Sequence, residues 1–275
     1  YTPFLVYDFD GDGKAELAVR TSDGTIDGKG KVIGDSSADY RGKGGPEDPR
    51  SKGRILTGNE YLSVFSGLTG EELATIPYIP PRGNPSDWGD ARANRSDRFL
   101  AAVGYLNGHT PSIIMCRGYY TRTVLAAFDW DGKELKQRWV FDSNQHPGYA
   151  GQGNHNLRVG DVDGDGCDEI VYGSSCYHHD GTMRYSTGLG HGDAMHISDW
   201  VEWNDGLEVM EVHEEHNQTY QVEIHDAETG EMPNATFRYL PTQMRGTSDK
   251  IELLGEGKAK MCNAMVTTCR EGEEA

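Results

Sequence analysis

"DFDGDGKAEL", Asp8 to Leu17, and "DVDGDGCDEI", Asp161 to Ile170, are two copies of one acidic, glycine-broken phrase, each leading into a short apolar run. Carboxylates at every second position repel one another unless a cation sits among them. Counted from the first Asp, acidic residues fall at positions one, three, five and nine: Asp8, Asp10, Asp12 and Glu16, then Asp161, Asp163, Asp165 and Glu169. Intervening glycines let the chain curl and turn those oxygens onto one hard cation, as the calcium loops of EF-hands do. Position seven is Lys14 in one copy and Cys167 in the other. That freedom suits a ligand supplied by the backbone carbonyl. An EF-hand also needs a Glu at position twelve, where this chain has Val19 and Tyr172, and the following residues read as strand. The phrase therefore reads as a short structural Ca²⁺ loop ahead of a β-strand. A solvated acidic turn without an ion is the alternative.

Around these loops, hairpin signals recur. "YLSVFSGLTGEEL" turns at Gly70, "VLAAFDWDGKEL" at Gly132, "YHHDGTM" at Gly181 and "YQVEIHDAETGEM" at Gly230, at separations of 62, 49 and 49 residues. Each runs strand-forming residues into a Thr-Gly or Asp-Gly turn. A polar loop leads each unit, at Asp8, Tyr105, Asp161 and Asp199. Four units of four short strands predict an all-β chain, a β-propeller of about four blades with short calcium loops preceding strands. Gly24 to Glu60 is too long and polar for a connection within one blade. From about Pro233 the rhythm stops. The expected division is a propeller domain over residues 1–232 and an unassigned tail over 233–275.

Composition narrows the function. Lys plus Arg total 26 against 44 Asp plus Glu, a formal charge of −18. Such a chain has no general attraction to nucleic acid or to anionic membranes. The longest apolar run, Phe99 to Leu106, is far too short to span a bilayer. The chain starts in mid-pattern without Met, which suggests a piece of a longer protein and leaves compartment unread. Its five cysteines form no CxxC pair, and buried inert thiols are expected.

A second constellation is "GQGNHNLRVGDVDGDG", Gly151 to Gly166, followed by "YSTGLGHGDAMH", Tyr185 to His196. If these Gly-rich loops top adjacent units, His155, His191 and Asp193 converge on one metal ion or on a substrate. Two polar turns with hydrogen-bonded imidazoles are the other reading, and spacing does not separate them. "SDWGDARANRSDRF" carries Arg92, Arg95 and Arg98, and "RGYYTR" carries Arg117, Tyr119, Tyr120 and Arg122. Arg beside Tyr suits a saccharide carboxylate and a sugar face, although a salt-bridged surface explains both sets equally. "VHEEHN", with His213, Glu214, Glu215 and His216, could be a third metal patch, but reads better as the solvated end of a strand.

Taken in order, "YDFDGDGKAELAVRTSDGT", "GKVIGDSSADYR", "RGNPSDWGD", "RFLAAVGYL", "PSIIMCRGYYTRT", "AGQGNHNLRVGDVDGDG", "YSTGLGHGDAMH" and "EVHEEHN" closely resemble the bacterial rhamnogalacturonan lyases of polysaccharide lyase family eleven, from Tyr1 to about Met232. The resemblance implies a propeller of about eight blades, several calcium ions and a deep cleft. It also implies cleavage of the rhamnose–galacturonate linkage of rhamnogalacturonan I by β-elimination, outside the cell or in the periplasm, by a monomer. His155, His191 and Asp193 would belong to the calcium-bearing cleft, and Arg117, Tyr119, Arg122 and Asn154 would meet the pectic polysaccharide. The catalytic base is not identified. Relative to the family the chain reads as a fragment, whose own activity is left open. A non-catalytic calcium propeller of integrin-like repeats is the competing class. A hydrolase with paired carboxylates, leaving saturated ends, is a weaker third.

Overall fold

In the computed structural model the described residues are 3–46, 48–201, 204–214 and 222–231, with backbone alone at 236–239, 250–254 and 260–262. The first acidic loop joins β1 (Phe4–Tyr7) to β2 (Glu16–Ser22). A small hairpin, β3 (Thr25–Ile26) and β4 (Val32–Ile33), follows, then β5 (Glu60–Ser66) and β6 (Glu72–Pro77). Because β2 pairs directly with β5, the long polar segment from Gly24 is an insertion within one antiparallel sheet, β1-β2-β5-β6. The second sheet is a meander of β7 (Phe99–Gly104), β8 (Ser112–Arg117), β9 (Val124–Trp130) and β10 (Leu135–Asp142). The third repeats it with β11 (Arg158–Gly160), β12 (Glu169–Val171), β13 (Ser175–Tyr177) and β14 (Met183–Ser186). The fourth has β15 (Gly192–Ser198), β16 (Glu208–His213) and β17 (Val222–Asp226). In the tail, β18 (Thr236–Tyr239), β19 (Lys250–Leu254) and β20 (Lys260–Cys262) pair as a further antiparallel sheet that no local signal announced.

Each unit read from the sequence corresponds to one sheet. The leading loop lies between its first two strands, and Gly70, Gly132 and Gly181 turn between its last two, all at positive φ. Gly230 occupies the same place after β17. Period-two alternation explains the packing. On β8, Ile113 and Met115 face the first sheet with Leu62 and Val64, while Ile114 and Cys116 face the third with Ile170 and Tyr172. The third sheet in turn packs Val171 and Cys176 against Met195 and Val209 of the fourth. Sandwiched strands have no wet face, so "SIIMCR" is buried at every position.

The all-β class therefore stands, but the propeller does not. Among the described residues the sheets are separate antiparallel elements, none closed on itself and none forming a ring. Hairpin turns specify pairing within a sheet, and apolar faces specify contact with the next. Closure would depend on the first unit meeting the last, which no short repeat encodes. Cys116 and Cys176 are buried free thiols, as expected, and Cys167 is half-buried. Among the described residues no helix is long and apolar enough to cross a membrane.

Phe128 is fully buried between the first two sheets. Truncating it leaves a cavity that packed sheets cannot collapse, so Phe128→Ala should cost about 3–5 kcal/mol, read as a lower urea midpoint at unchanged slope.

Candidate functional site

The acidic loops fold alike. In each, the position-one carboxylate accepts from the glycine at position six, Gly13 to Asp8 at 2.9 Å and Gly166 to Asp161 at 3.0 Å. The position-nine carboxylate accepts from position two, Phe9 to Glu16 at 3.0 Å and Val162 to Glu169 at 3.1 Å. Backbone donors at Lys14 and Cys167 close the loops onto Asp12 and Asp165. Oxygens of Asp8, Asp10 and Glu16 lie within 4.8 Å of one another. In the second copy Asp163 and Glu169 share that closeness with His178, while Asp165 and Cys167 share it with His179. Arg184 lies 2.5 Å from Asp163. Glu169 is fully buried, its Oε1 has no hydrogen-bond partner, and burial pushes its carboxyl up to about 7. An orphaned, inward carboxylate oxygen among acidic neighbours is what a cation-binding loop requires.

The histidines do converge. Asn154 bridges to Gly192, and the His155 amide donates to the Gly192 carbonyl, so the two Gly-rich loops run side by side. Gly192 permits this approach, since a Cβ there would strike the Glu211 carboxylate and the Val212 carbonyl. The imidazoles of His155 and His191 lie 5.0 Å apart between centroids. His155 Nε2 is 3.9 Å from Asp193, and His191 Nε2 is 3.4 Å from Glu214. Together the four residues could hold one metal ion.

The turn after β8 builds one wall. Tyr119 stacks parallel to His191 at 5.3 Å, and the Tyr120 hydroxyl is 2.9 Å from His155 Nε2. Arg95 lies 3.5 Å over the Tyr120 ring, with Arg98 5.5 Å from it. His191 Nδ1–H donates to the Gly153 carbonyl at 2.5 Å, which leaves Nε2 as a buried lone pair without a hydrogen bond. Burial holds the His191 imidazole neutral down to about 4 and lowers His155 in the same sense. Neutral imidazoles, two carboxylates and nearby guanidinium groups could together accommodate a cation and an anion.

The substrate candidates are placed less simply. Tyr119 is 2 % exposed, and Arg117 is fully buried, its guanidinium 2.7 Å from Glu60 and from the Ser96 carbonyl. Arg122 pairs with Asp142 at 2.6 Å over the Trp88 ring. Asn154 is buried and donates to Glu211 at 3.0 Å. The "VHEEHN" stretch is not a solvated strand end: His213 is buried on β16 and Glu214 faces His191. Glu215 and His216 lie outside the described residues. Glu214 belonged to the less favoured reading of this stretch, a metal patch, because strand ends and ligand ends look alike in sequence. Its one signal was the neighbouring histidines.

The sequence profile of rhamnogalacturonan lyase family 11, C-terminal domain, matches residues 1–273. The chain belongs to this family. It is 59% identical over 234 residues to the rhamnogalacturonan exolyase YesX of Bacillus subtilis (strain 168), covering 84% of this chain and 37% of that protein. The rhamnogalacturonan endolyase YesW of the same organism is 53% identical over 234 residues, covering 84% and 36%. The solved Bacillus licheniformis rhamnogalacturonan lyase PL11 superposes with a TM-score of 0.81 at 50% identity, over 96% of this chain and 44% of that one. The chain thus spans 37% or less of the length of the curated relatives it matches.

A neutral His191 has a consequence for stability. In metal-free protein its folded value near 4 lies below the ordinary histidine value of about 6.5. Between those values the unfolded chain binds the extra proton, so this contribution is present above about 6.5 and is lost as pH falls toward 4. The His191 ring resonances should titrate near 4 by NMR, and a midpoint above about 6 would show the imidazole to be solvated.

Proposed function

We propose that this chain supplies the calcium-bearing part of a lyase cleft that cleaves the rhamnose–galacturonate backbone of rhamnogalacturonan I by β-elimination. The observation that carries the reading is the meeting of His155, His191, Asp193 and Glu214 beneath Arg95 and Tyr120. Membership of the lyase family favours an enzyme over a non-catalytic carbohydrate-binding module. The polymer substrate places the reaction outside the cell or in the periplasm.

The donor sets differ in their fit to Ca²⁺. The acidic loops, Asp8–Asp10–Asp12–Glu16 and Asp161–Asp163–Asp165–Glu169, offer the all-oxygen cage that calcium prefers, with the carbonyls of Lys14 and Cys167 as further ligands. The histidine site offers two carboxylates and two imidazoles, so a uronate carboxylate and water would complete its shell. A bound Ca²⁺ there would disperse the charge that builds on the uronate when its C5 proton leaves. The chain's own residues prepare this. Gly153 fixes the His191 tautomer, stacking on Tyr119 fixes its plane, and Tyr120 orients His155. Arg95 and Arg98 bring positive charge that a chain of −18 otherwise lacks at an anionic polymer.

The decisive test mixes rhamnogalacturonan with a polypeptide of the relatives' length carrying this chain. New ultraviolet absorbance from an unsaturated uronate is expected. Saturated ends would point to hydrolysis, and binding without absorbance would point to a carbohydrate module. His191→Ala should lower turnover at least about 100-fold, far more than the modest fall in melting temperature that loss of a buried, stacked imidazole brings. A loss confined to the melting temperature would remove the histidines from the cleft.

Loop occupancy has its own signature. Without a cation, Glu169 titrates near 7 rather than in the carboxylate range, so its protonated form stabilises the fold below about 4.5 and that benefit fades as pH rises through 7. Added Ca²⁺ should therefore raise the melting temperature more above about pH 7 than below about pH 5. Glu169→Gln should abolish that pH dependence, as read by scanning fluorimetry.

A further inference from the structure

On the buried face of the fourth sheet, two carboxylates meet head on. Glu211 of β16 and Glu223 of β17 are directly opposite partners in the antiparallel ladder, and both are fully buried. Like charges at opposed ladder positions repel even at a surface, and inside a core they are far more costly. His213, two residues along the same face, is buried, and neither ring nitrogen is within full hydrogen-bond distance of a partner, although Glu223 and the Gly190 backbone lie near enough to favour a proton on the ring. Its Nε2 lies 3.6 Å from Glu223 Oε1. That is too long for a hydrogen bond. Donor atoms shared by one zinc ion at about 2.0–2.2 Å sit roughly 3.3–3.6 Å apart.

We propose that Glu211, His213 and Glu223 form a buried site for a first-row divalent cation, Zn²⁺ above all, separate from the acidic loops and from the His191 cluster. Donor atoms of the three lie within 4.8 Å of one another. Their surroundings are arranged as those of metal ligands are. Glu211 accepts from Asn154 at 3.0 Å and from Ser174 at 3.0 Å. Glu223 accepts from His225 Nδ1 at 2.9 Å, and the Tyr185 hydroxyl is 3.1 Å from the other nitrogen of that ring. Such outer hydrogen bonds fix a ligand's orientation. Two carboxylates and one imidazole, all buried, leave the oxygen shell of calcium short with no substrate carboxylate to complete it as at the His191 cluster, whereas three protein ligands and one water suit zinc. The ion would tie β16 and β17 to the Asn154 and Ser174 loops of the third sheet, steadying the segment that carries His155.

The test is the metal content of the chain purified without chelator and held in saturating Ca²⁺, by mass spectrometry. About one equivalent of a zinc-class metal is expected, retained in His191→Ala and lost in Glu223→Gln. Should Glu223→Gln fail to fold, Co²⁺ exchanged into the unaltered chain provides the readout, through visible absorption of a low-coordinate nitrogen and oxygen site. Wild-type protein that holds no such metal, takes none from added Zn²⁺ and melts unchanged would overturn the proposal. It would leave a proton on His213 as the balancing charge. Metal lost in His191→Ala but kept in Glu223→Gln would also overturn it.

Discussion

Carboxylates that the fold forces together are the constraint around which this molecule is arranged. Each time the sheet geometry brings them close, at Asp8–Glu16, at Asp161–Glu169, beside His191 and between Glu211 and Glu223, a cation or a bound proton is needed to offset their repulsion. Where the chain supplies that charge itself, it does so with arginine. Glu60 is flanked by Arg20 at 3.0 Å, Arg82 at 2.9 Å and Arg117 at 2.7 Å, a buried network that pins the inserted segment to the second sheet. Burial pulls the Arg117 guanidinium below its ordinary value, yet Glu60 and Asp97 hold it in place. Breaking one partner of such a network leaves an uncompensated ion inside, which costs far more than the pair contributes.

The contrast between these two solutions separates framework from site. Arg117 and Arg122 look from sequence like hands for a sugar acid, yet their guanidinium groups are turned onto Glu60 and Asp142. Arg95 and Arg98 lie instead over Tyr120, beside the histidines. A motif records which charges are present, while burial decides whether they face a ligand or one another.

What could be read in advance follows the range of the interaction. Turns at Gly70, Gly132 and Gly181 and the carboxylate register of both acidic loops depend on neighbours a few residues away, and they were legible. The approach of His155 to His191 depends on two glycine-rich loops meeting, which the spacing suggested without deciding. Ring closure, Glu214 and the tail sheet depend on contacts between distant segments. A repeat could not encode them, and the ring inferred from it was not found.

The fourth sheet is where these scales meet. Its strand "EVMEVH" alternates as any sandwiched strand does, with Met210 and Val212 packing away from Val209 on the opposite face. On that face the alternation also places Glu211 and His213, where a core would ordinarily have apolar groups. Glu211 is raised to about 7 by its burial, and Asn154, the residue next to His155, is one of its hydrogen-bond donors. Polar residues in a dry face weaken a sheet unless they are fully satisfied. Here they also join the loop of one sheet to the strands of the next. The same alternation that buries the core thus carries charge to the point where His155 and His191 must be held in register.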